Sequence, residues 1–395
     1  MILLRLLIAT LPLYSLLKVF GISICLILVG ALCVVSVLRL VVEKRPRIRF
    51  TSLDFFLIGY VVSCFVASSY SQADTTTIAL IKTLTYVAAF YLISELIGFF
   101  PRERVLRTLG QGAVIGLVLI VAATLYSYFS QGLNHVDFDY WRVTMKVFSQ
   151  LAIEYFGYEE FGSPDLQRNS LAEAFVLYGI VFLSIINHKT LRFGGLAASL
   201  AMVVFLQSRR ALFAFVVSIA FHLVRHCRTR FQYTLLTIVL LVSVIAAASI
   251  VEVSASRLTS LDLGARSVQY IEAIVNTYHN GPWGEGFASK IDEDMYVHNL
   301  PLSGLYMNGV VGGTFATLIL LWLAIRYVKA IGSREIAAAF LIIPITGALV
   351  GSTVEGIFTL NAWLALAIYR AFGPGLRVDN MVPDQRLLRQ STVGT

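Results

Sequence analysis

Residues 302–325 read LSGLYMNGVVGGTFATLILLWLAI, 24 positions without a charged side chain. A helix that is apolar on every face needs lipid or a protein core around it. This one is long enough to cross a bilayer, which takes about 20 residues. Comparable runs fall near residues 2–19, 21–42, 52–69, 77–98, 108–129, 169–187, 192–207, 211–225, 232–251, 336–352 and 357–372. The pattern predicts an all-α polytopic membrane protein with about twelve transmembrane helices. Composition agrees: 57% of residues are apolar, 14% are charged, and the mean hydropathy is +0.78. A soluble domain carries about 25% charged residues. Residues 1–395 read as a single integral membrane domain with no soluble module beside it.

The loops between these runs alternate in charge. Lys44, Arg45, Arg47 and Arg49 form one basic loop, Arg102, Arg104 and Arg107 the next. Lys189 and Arg192, then Arg225, Arg228 and Arg230, then Arg326, Lys329 and Arg334 continue the series, and Arg377, Arg386 and Arg389 lie in the tail. The positive-inside rule puts these loops and both termini in the cytoplasm. It also accounts for most of the net charge of +8, so nucleic-acid binding is not indicated. Cys25, Cys33, Cys64 and Cys227 show neither metal-ligand spacing nor a disulfide framework. The N-terminal run has no small-x-small cleavage site and reads as an uncleaved first span. Two long segments, 130–168 and 252–301, fall on the opposite, outer side. In the second, Val268, Ile271, Val275 and Tyr278 recur at helical spacing until Asn280-Gly281-Pro282 ends the pattern. That spacing predicts an amphipathic helix lying along the outer interface. Residues 373–395 read as a flexible cytoplasmic tail.

Basic residues on the outer side defy the charge rule and so carry information: Arg142, Lys146, Arg168, Arg209, Arg210, Arg257, Arg266 and Lys290. Arg209 and Arg210 stand in a tight turn, Ser208-Arg209-Arg210-Ala211-Leu212. Two readings are open: snorkelling to headgroups, or a guanidinium fork for phosphate oxygens. Successive helical positions differ by about 100°, so the two cannot serve one site together. Arg266, after Leu263-Gly264-Ala265, opens the surface helix, either as a solvated residue or as a ligand contact eased by Gly264. Just before the 302–325 run stands Val297-His298-Asn299-Leu300-Pro301. Pro301 suits a first helical turn and Asn299 an N-cap. His298 then sits at the outer mouth of the helix, by its positive dipole end. Gly309 and Gly313 form a GxxxG pair for close helix packing. In Gly281-Pro282-Trp283-Gly284-Glu285-Gly286-Phe287, the glycines either make a simple connection or mould a loop around a ligand, with Trp283 or Phe287 as a stacking face. Asp292, Glu293 and Asp294 read as a solvated loop rather than a metal site.

Together these residues resemble the bacterial O-antigen ligase and O-antigen polymerase superfamily. The ligase pattern of His, then Asn, Ser or Gln, nine free positions, Gly, two free positions and a second Gly, Thr or Tyr is met by His298, Asn299, Gly309 and Gly312. Ser208-Arg209-Arg210-Ala211-Leu212 is similar to the family's Ser/Thr-Arg element, with Arg210 where a small residue is usual. Leu263-Gly264-Ala265-Arg266 and the Gly-Pro-x-Gly-x-Gly loop also match, in the family's order, across about residues 165–330. One departure is Met307, where many members carry an acidic residue. The resemblance implies an inverting, metal-independent and cofactor-free glycosyl transfer at the periplasmic face of the bacterial inner membrane. The donor would be a glycan on undecaprenyl diphosphate and the acceptor the lipid A core. It assigns Arg209 and Arg266 to the diphosphate and His298 to the acceptor hydroxyl, with Arg210, Asn299, Trp283, Gly284 and Gly286 as binding residues. The alternatives are a polymerase, whose acceptor is a second lipid-linked glycan, and a transporter of lipid-linked glycans.

Overall fold

The computed structural model describes residues 1–13, 18–19, 22–43, 50–131, 164–206, 208–224, 264–289, 297, 299–333, 336–350 and 357–372. The expected span at 232–251, most of the 130–168 segment, residues 252–263 and 290–296, and the 373–395 tail lie outside the described residues. The described part is almost wholly helical. It comprises α1 (Ile2–Thr10), α2 (Ile24–Glu43), α3 (Ser52–Ser68), α4 (Thr76–Gly98), α5 (Arg102–Gln131), α6 (Pro164–Ser184), α7 (Lys189–Phe205), α8 (Arg209–Val224), α9 (Gly264–Asn280), α10 (Leu300–Ser333), α11 (Ile342–Val350) and α12 (Leu360–Phe372). Among the described residues four helices are long and apolar enough to cross a membrane: Ile24–Val42, Thr76–Gly98, Arg102–Ala122 and Leu300–Ile331. Shorter apolar helices fill the space between them.

Two runs read as single spans are built otherwise. The 2–19 run holds the nine-residue α1, a 3-10 turn at Leu11–Leu13 and the strand Lys18–Val19, which pairs antiparallel with Ile22–Ser23. Pro12 cannot continue the helix, because it lacks an N–H and its ring crowds the preceding turn. The 336–352 run opens as a 3-10 stretch, Ile336–Leu341, before α11 begins. Buried α1 lies tightly on α5: a Cβ on Gly112 would stand 2.7 Å from Ile8 Cβ, and one on Gly116 2.8 Å from the Ala9 carbonyl oxygen. The Tyr178 hydroxyl on α6 donates to the Ile8 carbonyl at 2.5 Å. Gly112 and Gly116 are thus the small-residue pair that lets two helices approach closely.

α6 and α12 are the inner helices, with Leu171–Leu183 and Leu360–Tyr369 buried on every side. α2, α3, α4, α5 and α10 surround them and turn large apolar side chains outward, among them Leu38, Phe55, Ile78, Val118 and Val328. An outward apolar surface of this extent suits contact with lipid. Several buried hydroxyls are satisfied within their own helices, Thr83 to Ala79, Ser94 to Phe90 and Thr346 to Ile342, and the Ser36 hydroxyl on α2 donates to Leu92 O on α4 at 2.6 Å.

α10 is not straight. Gly309 has φ 66° and ψ −163°, outside the helical region. A Cβ on Gly304 would lie 3.0 Å from both Ala316 Cβ and the Gly312 carbonyl oxygen. In a continuous helix residues 304 and 316 would be about 18 Å apart. The half-helix 300–308 therefore folds back on residues 310–333 with Gly309 at the tip. Gly313 faces the returning half, with its Cβ position 2.9 Å from Leu305 Cβ. This corrects the sequence reading of one straight span: Gly309 is a fold point rather than part of a packing pair. Asn299 stands at the start of the returning half, about 13 Å from the tip.

The expected amphipathic helix is α9. Its Tyr270 and Ala273 pack on Val297, Leu302, Tyr306 and Met307, at the returning half of α10. Ile271, Ile274, Val275 and Tyr278 face away from the protein and are exposed.

Candidate functional site

The break at Gly309 removes the intrahelical donors that the Tyr306 and Met307 carbonyls would otherwise use. An orphaned carbonyl in apolar surroundings is costly. Here the Glu285 N–H donates to Tyr306 O at 2.8 Å and the Gly286 N–H to Met307 O at 3.0 Å. The loop 281–288 reaches them by taking positive φ at Gly284 (76°), Gly286 (105°) and Ala288 (66°). A Cβ on Gly284 would stand 2.5 Å from the Gly309 nitrogen, one on Gly286 2.7 Å from Ser71 Cα, and one on Gly309 would run into the Pro282 carbonyl oxygen. From the other side, the turn between α3 and α4 grips the loop. The Tyr70 hydroxyl donates to Trp283 O, Ser71 Oγ to Phe287 O at 2.7 Å, and the Phe287 N–H to Ala67 O at 3.3 Å. Burial raises the Tyr70 hydroxyl above the ordinary phenol pKa, so it remains a donor. The close approach that Gly284 and Gly286 permit is to the protein's own backbone. The Trp283 ring is 65% exposed.

A second set of contacts forms where α10 begins. Asn299 caps the helix: its Oδ1 accepts from the Leu302 N–H at 3.1 Å, and its carbonyl from the Ser303 N–H at 2.7 Å. Its Nδ2 donates to Leu349 O at 3.2 Å, in the last turn of α11. Two residues earlier, the Cβ position of Gly347 lies 4.0 Å from Glu173 Oε1. Glu173, on α6, pairs with Arg210, the second residue of α8, and accepts from the Thr359 hydroxyl at 2.5 Å. The side chains of Glu173 and Arg210 are 2% and 9% exposed. Arg210 therefore neither snorkels to headgroups nor presents an open fork. Its Nη2 is held by a carboxylate, and its Nε is buried with no acceptor among the described residues.

The last turn of α11 is thus flanked by Asn299 on one side and by Glu173, Arg210 and Thr359 on the other. His298, next to Asn299, lies outside the described residues. Arg209 opens α8 and Arg266 stands in the first turn of α9, but the side chains of both lie outside the described set. Trp283, Gly284 and Gly286 are not in this group. They sit at the Gly309 tip, separated from Asn299 by the returning half-helix, about 13 Å long. Glu173 and Thr359 were missed from the sequence. The available signal was Glu173 itself, one carboxylate in the otherwise uncharged run from Leu171 to Ser184, where an intramembrane charge demands a partner. Among the described residues no group of three or more His, Cys, Asp or Glu could hold a metal ion. No family model matches the chain, and no curated protein matches it.

Proposed function

We propose that this chain is a polytopic glycosyltransferase of the O-antigen ligase type, with about twelve spans, both termini cytoplasmic and its site open to the periplasm. It moves a glycan from undecaprenyl diphosphate to a sugar hydroxyl of the lipid A core. The observation that supports it is a convergence. The chain neighbours of His298 and Arg209 meet across one helical turn of α11, through Asn299 on Leu349 and Arg210 on Glu173. The sequence elements behind the resemblance are 88 residues apart between Arg210 and His298, yet their immediate neighbours share that turn.

Chemistry at such a site follows from its residue types. As the glycosyl–phosphate bond breaks, negative charge grows on the leaving diphosphate. Fixed guanidinium groups aimed at that charge stabilise the transition state more than the ground state. Arg209 and Arg266 are assigned this role. The attacking hydroxyl must lose its proton, and a neutral imidazole accepts one near pH 7. His298 is assigned this role. Asn299 fixes the segment that carries it. Arg210, already neutralised by Glu173, contributes little net charge toward a diphosphate, so its part is to fix the first turn of α8. Trp283, exposed at the Gly309 tip, is a stacking face for the glycan beyond the reacting sugar.

Deletion in the native host tests this reading. Loss of a ligase leaves long polymer on the lipid carrier. Loss of a polymerase leaves single repeat units, and that outcome would replace ligase by polymerase. Loss of a transporter leaves the lipid-linked glycan on the cytoplasmic face. α10 is broken, as helices of transporters are, but among the described residues no second broken helix answers it as an inverted repeat would require.

A further inference from the structure

α9 has two apolar sides. Tyr270 and Ala273 on one side pack with Val297, Leu302, Tyr306 and Met307 in a small cluster separate from the main core. Ile271, Ile274, Val275 and Tyr278 form the other side, and all four are exposed, Ile271 to 60% and Tyr278 to 86%. Their i, i+3, i+4, i+7 spacing puts them within about 100° of arc, so they make one continuous stripe. Glu272 is exposed beyond its edge. With Gln269, Glu272, Asn276 and Asn280 in its length, α9 is too polar to cross a bilayer but suits its surface. The outward apolar belt of the bundle reaches the same level. Phe65 and Val66 in the last turn of α3, Ile78 in the first turn of α4, and Val310 and Val311 beside the Gly309 tip are all exposed. α3 meets the loop 281–288 through Ala67, and α4 through Thr76, whose hydroxyl oxygen lies 3.2 Å from Phe287 O. A second copy of the chain is a poorer cover for the stripe, because four side chains fall short of the roughly 800 Å² per partner that a stable dimer buries.

We infer that α9 is seated in the headgroup–acyl boundary of the bilayer and that this seat braces the break at Gly309. α9 runs directly into the loop whose Glu285 and Gly286 N–H groups hold the Tyr306 and Met307 carbonyls, and its inner side packs with the side chains of those same two residues. With the stripe buried in lipid, α9 keeps one rotation about its axis. That rotation holds Ala273 against the returning half of α10 and the loop at the height of the carbonyls it serves. Without the seat, the contact depends on a satellite cluster of few side chains, and regions held by few buried contacts open most readily. The inference rests on the membrane-embedded fold and not on the proposed transfer reaction.

The test uses the full chain in phosphatidylcholine nanodiscs, with Cys33→Ala and Cys227→Ala as the background for labelling. A nitroxide on Ile274→Cys should collide with oxygen, which dissolves in lipid, more than with a water-soluble nickel chelate. A nitroxide on Glu272→Cys should show the reverse. In the unlabelled chain, Ile271→Asn with Val275→Asn should speed amide hydrogen exchange at Glu285 and Gly286 roughly tenfold. Glu272→Gln should leave that exchange unchanged. If the double variant does not fold, Tyr278→Ser alone should speed exchange roughly threefold. A label at position 274 that the nickel chelate reaches as readily as one at 272 would put the stripe in water, and one shielded from both probes would put protein over it; either overturns the lipid seat. Unchanged exchange in the stripe variants would overturn the brace.

Discussion

At the C-terminal end of α12, Arg370 pairs with Asp54; at the N-terminal end, Thr359 binds Glu173, which pairs with Arg210. Each cluster is a buried carboxylate, an arginine and a threonine hydroxyl. They differ in what else holds the carboxylate. Asp54 belongs to a capping box and accepts from the Thr51 N–H at 2.5 Å and the Thr51 hydroxyl at 2.8 Å. Arg370 lies over the Tyr91 ring at 4.9 Å and the Phe90 ring at 5.4 Å. That end is a helix cap reinforced by a cation. Glu173 stands inside α6, away from any cap, and links three separate pieces of chain: α6, the start of α8 and the start of α12. It borders the α11 turn that Asn299 grips. The same chemistry closes one end of the helix and, at the other, fixes an arginine-bearing turn beside the proposed site.

The strongest way to break this contrast is to neutralise each cluster. Removing one member of a buried pair leaves an uncompensated charge and costs about 3–5 kcal/mol. Glu173→Ala, Arg210→Ala and Asp54→Ala should each lower Tm sharply in detergent. Replacing both members by apolar groups of similar size removes most of that penalty. Asp54→Leu with Arg370→Met should then regain stability and keep glycan transfer, whereas Glu173→Leu with Arg210→Met should regain stability and lose transfer. If both double variants transfer normally, the two clusters are fasteners alike.

A smaller effect is expected at the tip. Gly309→Ala puts a Cβ into the Pro282 carbonyl at a positive φ, and should cost more than about 1 kcal/mol. Unchanged stability would mean that the loop and the break are not locked together. Smallest is Tyr70→Phe, which deletes the hydrogen bond to Trp283 O and should cost about 0.5–1.5 kcal/mol in thermal unfolding. A loss below about 0.5 kcal/mol would sharpen the account by assigning the grip on the loop to Ser71 and Phe287 alone.

The helical scaffold was legible in the sequence, because apolar runs form helices that pack together or face lipid; the broken runs at 2–19 and 336–352 were not, because their hydropathy matches that of a span. The surface helix was legible too, from Ile271, Val275 and Tyr278, and its stripe is exposed as an interfacial helix requires. The glycines were not. Gly309-x-x-x-Gly313 and Gly112-x-x-x-Gly116 have the same spacing, yet only the second mates two helices; the first contains a fold point. What separates them is the Gly281–Gly286 loop that satisfies the broken helix, a contact between segments some 20 residues apart that no local pattern encodes. The charges inside the apolar runs, Asp54, Glu173 and Arg370, were missed, and their pairing depends on tertiary structure. Arg210 was read as facing outward because its chain position allowed it; Glu173, 37 residues earlier, turns it inward.

The most direct measurement is turnover by the purified full chain, given a glycan on undecaprenyl diphosphate and a lipid A core acceptor. The native chain should release undecaprenyl diphosphate and yield glycosylated lipid A. The folded, inserted His298→Ala variant should release none. Full release by His298→Ala, or no release by the native chain, would contradict the assignment of this site to glycan transfer.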